Sequence, residues 1–537
     1  MKKNAWIWAA VPAAGLAVCG GSAVSCKCER NPGKAPRPNI LLIVSDDQSY
    51  PFAGAYGCSW VRTPGFDYVA ENGILFNNCY TPNAKSAPSR AGLLTGRYSW
   101  QLEEAGNHIT HWPEGKYSTV FEALGAHGYR TGFTGKGWAP GDPGKRPDGK
   151  NRQLTGKPYQ KREVADPPTT ELGKWDYAAN FADFLADDDG EPWIFWMGIR
   201  EPHRKYQYGT GLSLTGKTAD DVDRVPSYWP DNEIVRTDLL DFAYEIEYYD
   251  AHIVRAIEML REAGQLDNTL IIWTSDNGMP FPRRKGNSYE GSTHLPLAVM
   301  WPSGLRNPGR VSDELVSLVD ITPTILELAG VSAGEIGMEP TWGTSFRDIL
   351  EDRARHRDCL LLGRERHDDS RPENQGYPIR GIIMDGYLYL HNFKPALWPA
   401  GNPETGYRDC DSSPTKTAIL QLRRDGRDVH FWNYCFNFRP EEELYDLRSD
   451  PDCMTNLSGD TRYAKHLGAM KALLEQKLTE QGDPRMRGEG DIFDKYPFFK
   501  PSFQDFYERY FRGEVDPEEN KTFLMSDYES IPSQLPK

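Results

Sequence analysis

Apolar residues in this chain gather into short, unbroken runs, and each run stops at a polar cluster. Asn39-Ile-Leu-Leu-Ile-Val44 follows a Pro-rich leader (Lys34 to Pro38) and stops at Ser45-Asp46-Asp47. Tyr129-Arg-Thr-Gly-Phe-Thr134 stops at Gly135-Lys136, and Trp193-Ile-Phe-Trp-Met-Gly-Ile199 at Arg200-Glu-Pro-His203. Leu270-Ile-Ile-Trp-Thr274 stops at Ser275-Asp276-Asn277-Gly278. Runs this short and this apolar read as strands covered on both faces, the habit of a parallel sheet. From Leu239 to Gly264 the period changes. Leu239, Phe242, Ala243, Ile246, Tyr249, Ile253, Ala256, Ile257 and Leu260 keep helical spacing, which predicts a long amphipathic helix capped by Gly264. A shorter helix is expected from Ser118 to Ala126, ended by Gly128. Between Ala139 and Gly173 the chain is rich in Pro, Gly and basic residues without an apolar period, and reads as an insertion loop. Further on, Cys359-Leu-Leu-Leu-Gly363 reads as a last strand of the core. Short alternating strands from Ile379 to Met384 and from Tyr387 to His391 predict a small antiparallel subdomain.

In a parallel sheet all carboxyl ends lie on one edge, so the polar clusters after the strands converge whatever the strand order. Asp46, Asp47 and Asp276 with the amide oxygen of Asn277 form an all-oxygen set suited to Ca²⁺. Lys136, Lys285, Arg90 and His203 around that set suit a tetrahedral oxyanion. Singly, each has a plainer reading: an Asp-Asp pair after a strand caps a helix, and a lysine past a strand end sits in water. Their conjunction carries the reading.

Ser86-Ala-Pro-Ser-Arg-Ala-Gly-Leu-Leu-Thr-Gly96 adds a nucleophile to this edge. Pro88 fits a first helical turn, where its missing N–H costs nothing. Ser86 then lies at a helix N-terminus, which favours an anion, and Arg90 at i+4 reaches back over the same end. The first five residues by themselves also fit an ordinary N-cap. The whole string resembles the sulfatase signature, (Cys or Ser)-x-Pro-Ser-Arg-x-x-x-(Leu/Met)-Thr-Gly.

Over roughly residues 37 to 460 the chain is similar to the formylglycine sulfatases of the alkaline-phosphatase superfamily. The resemblance implies an α/β/α sandwich with a large mixed, mostly parallel sheet and a smaller C-terminal antiparallel sheet. It implies a catalytic domain over 37–375, a C-terminal subdomain over 376–500 and a surface tail over 501–537. By the same resemblance Ser86 is oxidised to formylglycine by a serine-type sulfatase-maturating enzyme. One Ca²⁺ is then held by Asp46, Asp47, Asp276, Asn277 and the modified Ser86. Arg90 braces the formylglycine, Lys136 and Lys285 bind sulfate, and His203 serves the leaving group. Arg364, Arg366 and His367 become candidates for sugar contacts, and Lys145, Arg146, Lys150 and Arg152 of the insertion for contacts with an anionic glycan. Asp320-Ile-Thr-Pro-Thr-Ile-Leu-Glu-Leu-Ala-Gly330 resembles the helix that follows the sheet in this family.

Glu201-Pro-His-Arg204 and Ser275-Asp-Asn-Gly-Met-Pro-Phe-Pro282 resemble the branch acting on N-sulfoglucosamine, while Glu443-Leu-Tyr-Asp-Leu-Arg-Ser-Asp-Pro451 recurs across many sulfatases. The implied substrate is therefore N-sulfoglucosamine of heparan fragments. The alternatives are an exo-acting O-sulfatase on another sulfated sugar, or a sulfated-glycan-binding protein without activity if Ser86 is not oxidised. One departure stands out: Lys136-Gly137-Trp138 occupies the place of the family's usual Lys-x-His.

Composition narrows this picture in three ways. A net charge of −15 argues against a nucleic-acid-coating surface. Met1-Lys-Lys-Asn followed by an apolar run from Ala5 reads as an export signal over 1–26, with Cys26 or Cys19 as the lipidated cysteine of a bacterial lipoprotein. The expected location is periplasmic, or anchored at the cell envelope through that lipid. Nine cysteines include no CxxC pair past the signal, so zinc is not indicated, and Cys410–Cys435 is the candidate disulfide.

Overall fold

The computed structural model describes residues 37–146, 148–515 and 524–529. The expected export signal, with Cys19 and Cys26, lies outside the described residues. The four strands expected from the apolar runs are present as β1 (Asn39–Ser45), β3 (Arg130–Gly135), β4 (Trp193–Gly198) and β5 (Thr269–Ser275). They form the centre of the main sheet in the order β5-β1-β4-β3, all parallel. Two further long strands extend it. β2 (Ile74–Tyr80) and β6 (His294–Met300) lie beyond β5, with β6 antiparallel to both of its neighbours. The apolar pattern announces neither: Ile74–Tyr80 carries two asparagines in an otherwise apolar run, and His294–Met300 is broken by a proline.

Alternate residues of each strand feed two separate cores, as a strand period of two requires. Leu41 and Ile43 pack with Leu239, Ile246 and Ile253 of α5 (Glu233–Glu262), and with α1 (Pro64–Glu71) and α4 (Tyr177–Ala186). Ile40, Leu42 and Val44 pack on the other face with α2 (Ser86–Thr95), α3 (Val120–Ala126) and α6 (Ile321–Leu328). Each fully buried aliphatic side chain here contributes about 2 kcal/mol. α5 starts earlier than the apolar period suggests, because Asn232 caps it by accepting the Val235 N–H at 3.1 Å. At its other end Ala263 is the cap residue, and Gly264 follows with φ +65°.

A second sheet is antiparallel throughout: β7 (Cys359–Arg364), β8 (Ile379–Met384), β9 (Tyr387–Asn392) and β10 (Glu442–Asp446). Here the structure corrects the sequence reading. Cys359–Arg364 does not close the main sheet but forms the edge of this one, paired with Ile379–Met384. Its apolar run is buried against α7 (Ala464–Glu480) and the second sheet's own core, a cover that apolarity alone cannot distinguish from a main-sheet position. The suspected Cys410–Cys435 disulfide is also corrected. All six cysteines among the described residues are free, and these two thiols instead contact the carbonyls of Asp411 and Tyr228. No helix among the described residues is long and apolar enough to cross a membrane.

Candidate active site

The register of the central strands sets the site. Val44 pairs with Gly198, Ser45 with Ser275 and Gly135 with Gly198, so β1, β3, β4 and β5 end level on one edge. The next residues, Asp46, Lys136, Arg200 to His203 and Asp276, therefore emerge side by side. Glycine is required where β3 meets β4: a Cβ on Gly135 would lie 1.9 Å from the Gly198 carbonyl oxygen, and one on Gly198 would lie 1.8 Å from that of Lys136. β2 ends on the same edge and feeds α2 through Thr81–Lys85, which brings Ser86 in. Because β6 runs back, the whole stretch between β5 and β6 also stays at this edge, and it supplies Lys285.

All ten residues of α2 are buried, and Ser86 opens its first turn as expected. The Ser86 hydroxyl donates to Asp46 Oδ1 at 3.0 Å and lies 3.5 Å from Asn277 Oδ1. Lys136 Nζ donates to the same hydroxyl oxygen at 3.1 Å and to Asp46 Oδ2 at 2.5 Å. Arg90 reaches back as predicted: its Nε donates to Asp276 Oδ2 at 2.8 Å and its Nη1 to the Lys136 carbonyl at 3.0 Å. Lys285 Nζ bonds Asp47 Oδ2 at 2.7 Å. Asp47 itself has φ +74°, a strained conformation for a non-glycine residue, held by its N–H on Asp276 Oδ1 at 3.0 Å.

Asp46, Asp47 and Asp276 are fully buried, and each offers an oxygen within 4.8 Å of the others. Their ionisation is pulled in opposite directions. Burial disfavours the Asp46 charge, but Lys136, with His203, Arg90 and Lys285, holds its carboxyl well below the usual range. Burial pushes Asp47 up to about 6 against the pull of Lys285, and Asp46 and Asp411 add to the push. Burial and Asp46 also raise Asp276, against Arg90. Three carboxylates, two of them raised by burial and then by their neighbours' charge, are a donor set that a hard divalent cation fits.

His203 sits at the mouth with 27% of its side chain exposed and Nε2 3.9 Å from Asp47 Oδ2. Its Nδ1 lies 2.6 Å from the Arg204 carbonyl, which places the ring proton there and leaves Nε2 toward the site. Burial and Lys285 push its pKa down to about 4. A cavity of about 520 Å³ opens on Asp46, Lys136 and His203.

The sequence-predicted residues thus divide. Asp46, Asp47, Ser86, Arg90, Lys136, His203, Asp276, Asn277 and Lys285 meet in one place. Arg364, Arg366 and His367 are buried on partners of their own: Arg364 pairs with Asp409, Arg366 stacks 4.0 Å over the Phe498 ring, and His367 Nε2 lies 2.9 Å from Asn83 Oδ1. Arg146 and Arg152 of the insertion pair with Asp148 and Glu122, and the insertion reaches the cavity instead through Leu172 to Trp175. Trp138, at the position of the family's histidine, points into the core. Its indole N–H donates to the Ala87 carbonyl at 2.9 Å, and its ring meets Trp112 edge-on at 5.2 Å.

Sequence reading misses four ionisable residues beside the site. Lys85 pairs with Asp368 at 2.7 Å, His108 lies 3.3 Å from the same carboxylate, and Asp411 holds Lys285 at 3.0 Å. Lys85 is detectable as the neighbour of Ser86. Asp368, His108 and Asp411 lie in irregular segments with no local signal.

The model of the sulfatase family matches residues 38–331. Human N-sulphoglucosamine sulphohydrolase is 28% identical over 475 residues, 83% of this chain and 91% of that protein. An ulvan-active sulfatase of Formosa agariphila is 24% identical, covering 86% of this chain and 78% of its own length. Among solved structures, one bound to its substrate D-glucosamine-2-N,6-O-disulfate superposes with a TM-score of 0.57 at 19% identity, over 83% of this chain and 98% of that one. At that identity the likeness speaks for the fold.

Proposed function

From the premise that this chain belongs to the sulfatase family, we propose that it hydrolyses a sulfated sugar, with N-sulfoglucosamine of heparan-type fragments as substrate. The observation that carries the reading is the placement of Ser86: its hydroxyl is gripped by Asp46 at 3.0 Å and Lys136 at 3.1 Å at the N-terminus of a buried helix. The human N-sulphoglucosamine sulphohydrolase similarity supports the choice of sugar.

Asp46, Asp47, Asp276 and Asn277, with Ser86, are the residues that would hold one Ca²⁺. Oxidation of Ser86 to formylglycine supplies a hydrated aldehyde as nucleophile, and Ca²⁺ supplies a Lewis acid beside it. The chain's own residues do the rest. Arg90 fixes Asp276 and the Lys136 backbone, so the carboxylates and the lysine keep their distances. Lys136, on the Ser86 hydroxyl, and Lys285, on Asp47, supply ammonium groups that stabilise charge on the sulfate oxygens. His203 turns Nε2 toward the departing nitrogen or oxygen and would serve it as the acid once the anionic substrate brings a proton onto that nitrogen, Nδ1–H staying on the Arg204 carbonyl. The reading includes export through residues 1–26, attachment through Cys19 or Cys26, and a serine-type maturating enzyme as partner.

A second reading keeps the chemistry and changes the bond: an O-sulfate on another sugar, supported by the ulvan-active relative. Co-expression with a serine-type maturase, Ca²⁺ supplementation and product analysis separate the two. Mass analysis of the Ser86 peptide first establishes loss of two hydrogens. Free glucosamine from N-sulfoglucosamine is the expected product. Sulfate released only from 2-, 3-, 4- or 6-O-sulfated sugars selects the second reading. An intact serine at position 86 with sugar binding and no turnover selects a glycan-binding role.

A further inference from the structure

The cavity, about 520 Å³, is larger than one sulfate group requires, and the groups above make only part of its lining. Another part of the wall is built by Leu172 to Trp175, where the insertion returns to the sheet, and by Arg200 after β4. This wall is tied to the metal-type cluster through Glu201. The Glu201 carbonyl accepts the Asp46 N–H at 3.2 Å, while its buried carboxylate accepts the Gly173 N–H at 2.6 Å and the Tyr177 hydroxyl at 2.7 Å. Gly173 has no room for a side chain, since a Cβ would lie 2.7 Å from Glu201 Oε1 and 2.9 Å from Tyr177 Oη. This wall is therefore held at a fixed distance from Ser86 and does not float as a loop.

Two side chains on this wall have chemistry the sulfate site does not use. Trp175 is half-buried, with Lys174 Nζ 4.2 Å from its ring, and offers an aromatic face. Lys174 is already neutralised by Glu163 at 2.7 Å. Arg200 is not: one N–H bonds the Glu171 carbonyl at 2.6 Å, and it makes no ion pair among the described residues. A half-buried guanidinium with no carboxylate in ion-pair contact, braced by a carbonyl and lining a cavity, is suited to a carboxylate or sulfate. The aromatic face beside it is suited to the apolar side of a sugar ring.

We infer that this wall is a second subsite, in which Arg200 binds a further anionic group of the substrate and Trp175 packs against the ring that carries it. The inference rests on the sulfated-sugar reading and deepens it: the preferred substrate carries two acidic groups, the sulfate at Ser86 and a second at Arg200. That second group is either a uronate carboxylate on a neighbouring ring or another sulfate on the same sugar.

The test uses the full chain produced without a maturase, so that Ser86 stays a serine and binding is read without turnover. Calorimetric titration compares glucosamine N-sulfate, glucosamine 2-N,6-O-disulfate and a uronate-containing N-sulfated disaccharide. The wild-type chain is expected to bind at least one doubly acidic sugar about tenfold more tightly than the monosulfated one, the gain of one charge-assisted contact. Arg200→Met should bring that ratio close to one, and Trp175→Ala should lower it independently. Unchanged thermal melting shows that either variant is folded. Which sugar shows the gain identifies the second group. Equal binding of all three by wild type, or a ratio that survives both substitutions, overturns the subsite and leaves the proposed function standing. Binding of none of the three overturns the proposed function together with it.

Discussion

Lys285 and Asp411 form an ion pair of 3.0 Å at the Ser86 site, although they lie on opposite sides of the second sheet's first three strands in sequence. The lysine is shared. Its Nζ also bonds Asp47 Oδ2 at 2.7 Å, and the two carboxylates raise its pKa despite burial. The irregular segment carrying Asp411 thus shares with Asp47 the cation to which sulfate binding is proposed.

Asp411→Asn should therefore weaken both stability and chemistry. Removing one partner of a buried pair costs about 3 kcal/mol, and Lys285 is left to Asp47 alone. Urea unfolding measures the first effect and kcat/KM the second. Unchanged values for both would show Asp411 to be incidental.

The donor set predicts a metal-dependent melting temperature. Ca²⁺ at about a hundred times its Kd should stabilise the folded chain by about 3 kcal/mol, by preferential binding to the native state. Chelator should reverse the shift, and Asp276→Ala should abolish it. Differential scanning calorimetry with and without Ca²⁺ decides the matter, and an equal shift in the variant would place the ion elsewhere.

His108 gives the fold an acid limit. Burial pushes its pKa down to about 4, with Lys85 helping and Asp368 opposing. Below about 6.5 the unfolded chain takes up the proton first, so the unfolded state binds more protons and stability rises with pH between about 4 and 6.5. The stabilising contribution is fully present above about 6.5 and is lost as pH falls toward about 4. Comparing unfolding free energies at about pH 5 and pH 7.5, His108→Gln should show a shallower loss than wild type, by on the order of 2 kcal/mol. Parallel profiles would contradict the assignment.

Trp138→His introduces the residue that the sulfatase resemblance leads one to expect there, yet it should cost stability and add no activity. The Trp138 ring is buried against Trp112 and its N–H is spent on the Ala87 carbonyl. A smaller ring leaves a void worth about 2 kcal/mol. Melting temperature and kcat measured together would expose a gain in activity, which would mean that the introduced imidazole reaches the mouth.

Lys136→Met should lower kcat by about a hundredfold or more, the scale for losing one charge-stabilising donor, with the Ca²⁺-induced melting shift retained. Loss of both would assign Lys136 to holding the carboxylates together instead.

Much of the site can be read from the chain because each strand run ends in its functional residue. Asp46, Lys136, His203 and Asp276 each follow a run whose apolarity reports burial on both faces, and parallel strands bring their carboxyl ends to one edge without further information. Ser86 and Arg90 are readable for a different reason: helix geometry links them at i+4. Arg364, Arg366 and His367 show where this logic stops. Their charge says only that they need partners, and the fold supplies those partners from Asp409, Phe498 and Asn83.

The sequence by itself determined the four central strands, the nucleophile helix and the set of carboxylates, because those follow from local period and from residue chemistry next to it. The tertiary structure alone decided that β6 runs antiparallel and keeps Lys285 at the edge, that β7 joins the second sheet, that Trp138 turns inward, and that Asp411 reaches Lys285. Each of these depends on which surface a segment meets at long sequence separation. Apolarity and charge state that a partner is needed, and only packing chooses which one.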